Sequence, residues 1–225
     1  MTKIRYPPRS GLAMVAAVQF QTYTAEEFLE LDLPEGQEYE LINGVIAPMA
    51  EPSGEHENLR SELLVELRME SRRSKLGLLI HPKPVVMLGR KDTRKPDLIA
   101  IERESWNRQT QTEAVLKEPP SVAIEIVSTN WEEDYRNKPL WYAAFGVSEF
   151  WIIDPLFSIG RYPNRKNPKI EVPTISIGQL APSRSILVEW EYEFESFTGG
   201  DRIKSKFFPD LDLTVEQIIA FGEGV

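Results

Sequence analysis

Apolar and polar positions alternate along the chain with two different periods. From Gly54 to about Ser74, Leu59, Leu63, Leu64 and Leu67 recur at helical spacing between charges, which predicts an amphipathic helix. A shorter helix is predicted from Thr24, an N-cap residue with Glu27 three positions on, as in a capping box. Glu38 to Ile46 reads as a strand with Asn43-Gly44 near its end, and that pair followed by Val45-Ile46 predicts a hairpin. Leu76 to Leu88 gives β-like runs broken by Pro82 and Pro84, and Asp97 to Ile101 forms another short run.

Ser121 to Val127 (SVAIEIV) is almost wholly apolar and β-branched, the pattern of a strand buried on both faces. A helix is predicted from about Glu132 to Phe145, ended by Gly146 as a C-cap. Glu149 to Ile153 is a second buried strand, stopped by Asp154-Pro155. Residues 121–154 thus form a βαβ unit, which implies parallel neighbours and a right-handed crossover. Ile170–Ile177 and Ile186–Phe194 read as strands of a covering meander, and Val215–Phe221 as a closing helix. With no internal repeat and no long linker, residues 20–225 read as one α/β domain behind a flexible basic tail, 1–19. That tail, or a start at Met14, is a better reading of Gly11–Phe20 than a signal peptide, because the apolar stretch is short.

Composition narrows the chemistry. The 225 residues contain no cysteine and two histidines, His56 and His81. Disulfide scaffolds, cysteine nucleophiles and three-histidine zinc sites are therefore excluded, and any metal must rely on carboxylates. No run approaches the roughly 20 apolar residues that span a bilayer, so a cytoplasmic protein is expected. The net charge of −9 argues against coating nucleic acid by bulk electrostatics. That charge is uneven: residues 58–100 carry ten Lys and Arg against five acids, and 158–188 carry five against one. Those two basic segments could form one face.

The informative acids stand where the pattern calls for apolar side chains. Glu125 sits inside SVAIEIV, sharing a face with Ala123 and Val127 while Ile124 and Ile126 share the other. A carboxylate there requires a partner or a cation, and it lies near the carboxyl edge where open α/β sheets bind ligands. Asp97 opens the neighbouring short strand just after Pro96. Two acids on adjacent strands can converge on one hard cation. Lys138 is placed near the start of the following helix beside Pro139, where it can reach back to those acids or simply pair with Asp134 one turn earlier.

Pro96-Asp97, Glu125 in a buried strand, and a lysine beyond it resemble the PD-(D/E)XK nuclease superfamily. The ordered set Tyr39-Glu40-Leu41-Ile42-Asn43-Gly44, Pro96-Asp97-Leu98, Glu125-Ile126-Val127-Ser128, Asp134, Lys138, Tyr142, Gly146-Val147 and Glu149 to Pro155 resembles, more closely, the Uma2 family of restriction-endonuclease-like proteins. The resemblance spans roughly residues 24–157 and, more loosely, the C-terminal meander. It implies a restriction-endonuclease-like mixed sheet flanked by helices, with an added β meander near the C-terminus. It also implies metal-assisted hydrolysis of DNA phosphodiester bonds with Mg²⁺ or Mn²⁺, and by analogy a homodimer. Asp97, Glu125 and the Ile126 carbonyl become metal ligands, Glu40 the additional acid and Lys138 the catalytic cation. Val127 occupies the position two after the glutamate where the superfamily usually has its lysine, so catalysis is the departure's concern rather than fold.

Plainer roles stand beside these. Glu125 could be satisfied by Arg136, Glu40 could be an exposed strand residue, and Tyr142 could simply pack. His56, at the start of the long helix, reads as a capping or surface residue ahead of a contact to DNA or metal, and Trp131, Trp141 and Trp151 read as core ahead of base-stacking platforms. Ser128 lacks a surrounding G-x-S-x-G, and no Walker or dinucleotide glycine motif calls for an organic cofactor. The reading from a different class is a catalytically inactive nuclease-fold module that binds nucleic acid or protein.

Overall fold

The computed structural model describes residues 21–128, 131–156 and 172–224. The tail, most of the second basic segment's first half and the expected strand start at Ile170 lie outside the described residues. Thr24 caps α1 (Ala25–Leu29) through the reciprocal bonds with Glu27 that its sequence predicts. β1 (Tyr39–Ile42) and β2 (Val45–Pro48) form the hairpin. Its turn residues Asn43 and Gly44 have φ of 51° and 80°, the left-handed pair a two-residue turn requires. α2 (Gly54–Arg73) follows, capped by Ser53, whose side chain accepts from the His56 amide.

β3 (Leu78–Pro82), β4 (Val85–Gly89), β5 (Asp92–Arg94) and β6 (Leu98–Glu102) come next, then α3 (Arg103–Gln109) and β7 (Val115–Leu116). The βαβ unit is β8 (Val122–Ile126), α4 (Trp131–Phe145) and β9 (Glu149–Asp154), and β8 and β9 pair in parallel as expected. β10 (Thr174–Pro182), β11 (Trp190–Thr198), α5 (Val215–Ala220) and a 3-10 turn at Phe221–Glu223 complete the described elements.

The strands form two mixed sheets rather than one. One has six strands in the order β11-β10-β9-β8-β6-β3, and the other five in the order β2-β1-β5-β4-β7. Strict alternation gives the six-stranded sheet two different faces. Ile80, Leu98, Val122, Ile124, Ile126 and Trp151 pack on Leu59, Leu63 and Leu67 of α2. Ala123, Val127, Phe150 and Ile152 pack instead on Tyr135 and Tyr142 of α4. Each fully buried leucine contributes about 2 kcal/mol of transfer free energy, so this double burial fixes the register of the central strands.

Two expectations shift, and one element is additional. The meander strands lie later than Ile170–Ile177 and Ile186–Phe194. β10 continues through Gly178, whose missing Cβ leaves room for the Phe194 ring and the Tyr192 Cβ, and Ile186 and Leu187 are exposed in the connecting loop. Pro139 lies in the middle of α4 rather than its first turn, so Lys138 is not near the helix start. A proline there withdraws the bond that the Tyr135 carbonyl would accept. α3 was not predicted because RESWNRQ has no apolar periodicity.

Glu149 is a wholly buried acid at the start of β9. It accepts from Trp151 Nε1 at 2.6 Å, from the Lys206 amide at 2.9 Å, and from Gln179 and Ser205. Replacing it by alanine strands four donors in the interior. Glu149→Ala is expected to lower stability by about 3–5 kcal/mol in urea denaturation; a change below about 1 kcal/mol would show that this network does not hold β9 to the C-terminal segment.

Candidate active site

Pro96 sets the extended entry to β6 and leaves Asp97 at the strand's threshold. β6 runs antiparallel to β8 with Leu98 opposite Ile124 and Ile99 opposite Ala123. One further step in that register sets Asp97 opposite Glu125, on the same face of the sheet. Residues so opposed have Cβ atoms about 4.5–5.5 Å apart. Both acids are buried, with 8% and 3% exposure respectively.

Each carboxylate has its own partners. Asp97 Oδ2 accepts from the Ile126 amide at 2.8 Å and lies 3.3 Å from His56 Nε2. The same His56 nitrogen is 3.2 Å from the Ile126 carbonyl oxygen. Glu125 Oε1 accepts from the Tyr142 hydroxyl at 2.6 Å, and Oε2 lies 2.9 Å from Lys138 Nζ. Lys138 also lies 2.7 Å from Asp134 Oδ1. The two readings of Lys138 that the sequence left open are therefore both realised at once. α4 achieves this because Asp134, Lys138 and Tyr142 follow at four-residue steps and share the face turned to β8.

Electrostatics follow from these contacts. Burial pushes the Glu125 carboxyl up to about 8, with repulsion from Asp97 and Asp134 adding to it while Lys138 and the Tyr142 hydroxyl oppose it. Burial likewise raises Asp134 against the pull of Lys138. Burial would raise Asp97 too, but the hydrogen bond and charge of His56, together with Lys138, hold it below the usual carboxylate range. Burial depresses His56, yet Asp97 and Glu57 outweigh that effect and raise it. Lys138 is raised well above its ordinary value because Glu125, Asp134 and Asp97 surround it, despite burial.

Glu40 stands slightly apart. Its Oε1 accepts from the Lys95 amide at 2.7 Å, tying β1 to the turn before Asp97, and its Oε2 is 4.0 Å from Arg94 Nε. The buried Arg94 donates to the Leu41 and Thr93 carbonyls and lies 3.7 Å from the centroid of the Trp141 ring. The partner of Glu125 is thus not Arg136, whose guanidinium is 4.0 Å from Glu132. Trp151 is core, whereas Trp141 supports a cation. His56 serves the cap through its backbone, as its position implies, but its ring reaches Asp97. The only signal was its place at the start of a helix long enough to cross the sheet.

Among the described residues, no group of three or more His, Asp or Glu side chains is already arranged to hold a metal ion. The donor set still fits a hard cation, because two carboxylates and a backbone carbonyl offer oxygen ligands and leave positions for water. A nitrogen donor, His56 Nε2, already lies against two of those oxygens, on Asp97 and Ile126.

Two mixed sheets flanked by helices are the architecture of a nuclease-like fold. The chain belongs to the Uma2 family, described as "Putative restriction endonuclease", which matches residues 25–216. Restriction-endonuclease-like proteins generally use divalent metals. The fold is also similar to a crystal structure of a "putative nuclease belonging to DUF820" from Anabaena variabilis, at 20% identity and a TM-score of 0.66. That match covers 88% of this chain and 98% of the other. No curated protein matches the sequence. No helix among the described residues is long and apolar enough to cross a membrane.

The raised Glu125 carboxyl sets a pH dependence. Folded Glu125 keeps its proton to about pH 8, whereas the ordinary value is 4.5. The native state binds the extra proton between those values, so this group's contribution to stability falls as pH rises through that window. Urea denaturation in EDTA is expected to show that fall in the wild type and a flatter profile in Glu125→Gln. Equal slopes would refute the burial account.

Proposed function

We propose that the protein is a metal-dependent endonuclease that hydrolyses DNA phosphodiester bonds, acting in the cytoplasm as a homodimer. The observation that carries this reading is the register that sets Asp97 opposite Glu125 at the end of the β6–β8 pair, with Lys138 on Glu125 and His56 Nε2 lying against both Asp97 and the Ile126 carbonyl. Asp97, Glu125 and the Ile126 carbonyl would hold Mg²⁺ or Mn²⁺, which when bound polarises the scissile phosphate and acidifies a nearby water. Lys138 stays protonated at neutral pH, so it serves as a positive charge and donor toward phosphate oxygens rather than as a base. Tyr142 and Asp134 fix the Glu125 and Lys138 side chains in place. Glu40 acts from the edge as an additional acid, positioning the Lys95–Asp97 turn through its bond to the Lys95 amide. Cutting both strands of a duplex calls for two such sites, which is the basis for the homodimer.

One observation favours the inactive nuclease-fold module that binds nucleic acid or protein. Lys138 is already engaged by both Glu125 and Asp134, and Val127 stands at the usual lysine position. The two readings separate on turnover. Plasmid DNA incubated with Mg²⁺ or Mn²⁺ is expected to be nicked by the wild type, and Asp97→Ala or Glu125→Ala is expected to reduce the rate by about a hundredfold or more. Nicking that survives either substitution, or no nicking by the wild type, would sink the endonuclease reading. A second readout needs no substrate. Mn²⁺ is expected to raise the melting temperature of the wild type by mass action and to leave Asp97→Ala unmoved; an equal rise in both would place the ion elsewhere.

A further inference from the structure

At the far end of α2 from the acids, a cleft of about 540 Å³ opens beside the edge strand β3. Its lining includes Arg68, Arg72, Lys75, His81 and Arg103, and no acidic side chain. In a chain of net charge −9, a cleft whose charged lining is wholly basic, with Arg72, Lys75 and Arg103 exposed to solvent, is complementary to an anionic partner. None is supplied from within. Arg72, Lys75 and Arg103 make no ion pair among the described residues, and Arg68 donates only to the Ile80 carbonyl, at 3.0 Å.

Helix-end electrostatics explain part of this basic cluster but not the cleft. Lys and Arg at a helix C-terminus interact favourably with the helix dipole. Arg73 fills that role, held by Glu70 and by the Asp210 carbonyl at 2.8 Å. Arg72 stands beside it with no such bonds and lines the cleft instead. Arg103 opens α3, the end at which a helix dipole repels a cation. On the cleft wall the His81 ring stacks on Trp106 with centroids 3.6 Å apart and planes 10° apart. His81 Nε2 is left without a hydrogen-bond partner.

We propose that this cleft is a second contact surface for the phosphodiester backbone of duplex DNA, separate from the site of cleavage. The inference rests on the reading of DNA as substrate. Arg72 lies sixteen residues beyond His56 on one continuous helix, about 24 Å at 1.5 Å per residue. That distance corresponds to about seven base pairs of B-DNA. The cleft would therefore hold the flanking duplex while the acids face the scissile phosphate. Guanidinium and ammonium groups without base-reading partners give affinity and register rather than sequence choice.

The test is fluorescence anisotropy with a labelled 20-base-pair duplex in EDTA, across about 50–200 mM KCl. Removing three phosphate contacts by Arg72→Ala, Lys75→Ala and Arg103→Ala together is expected to reduce the slope of log affinity against log salt by about three. A matched control, Arg184→Ala with Arg202→Ala and Lys204→Ala, removes three exposed cations elsewhere and is expected to leave the slope unchanged. Far-ultraviolet circular dichroism and melting temperature establish that the triple variant is folded. A folded triple variant with the wild-type slope, or an equal loss in the control, overturns the second surface. So does a wild type that binds no duplex. Metal-dependent plasmid nicking by the wild type decides the catalytic reading separately, so the cleft can fail while that reading stands.

Discussion

Glu125 carries a carboxylate into the middle of a six-stranded sheet, where its side chain is almost completely withdrawn from water. A charge in that position is destabilising by several kcal/mol unless it is compensated, and much of the surrounding structure supplies the compensation. Lys138 and the Tyr142 hydroxyl come from α4, and Asp134 holds the lysine from the other side. α4 must therefore cross over β8 in one orientation, with one turn opposite Glu125. The apolar contacts of Tyr135 and Tyr142 with Ala123, Val127 and Phe150 are compatible with that placement and reinforce it. Burial is thus both the source of the raised carboxyl and the means of aiming it.

Asp97 reaches the same face by a different route. It enters from an antiparallel strand, and its compensation comes from α2 through His56 and from the Ile126 amide. The two acids consequently have unlike environments: Asp97 is held ionised while Glu125 retains its proton more readily. Two carboxyl groups pushed apart in this way are a mark of functional sites. Glu149 is the contrast within the same fold. It is equally buried, but four donors from its own sheet and the C-terminal segment satisfy it. Glu149 ties elements together, whereas Glu125 is met, among the described residues, by Tyr142 and the shared Lys138.

The second sheet anchors the approach to this pair. Its strand β1 brings Glu40 to the turn that carries Lys95, Pro96 and Asp97, and Arg94 braces that turn against Trp141 of α4. The five-stranded sheet therefore acts as a support for the entrance of β6. Its strands β5 and β7 are three and two residues long, too short for alternation to declare them.

Local pattern was enough for α1, α2, the Asn43-Gly44 hairpin and the parallel pair around α4, because caps, turns and periodicity act over a few residues. It also marked Glu125 and, beside it, Asp97 as out of place, since an acid inside SVAIEIV contradicts its neighbours without any knowledge of the fold. Pairing lies beyond such reasoning. His56 and Ile126 are 70 residues apart, and nothing near His56 indicates that its ring turns away from the cap toward the sheet. The choice of Lys138 over Arg136 for Glu125, and the placement of Pro139 deep within α4, likewise depend on how that helix lies across β8. Which groups need compensation is legible along the chain, because the cost of burying a charge belongs to the residue and its strand. Which groups supply it emerges from the folded packing, because hydrogen bonds and ion pairs demand distances that long-range contacts set.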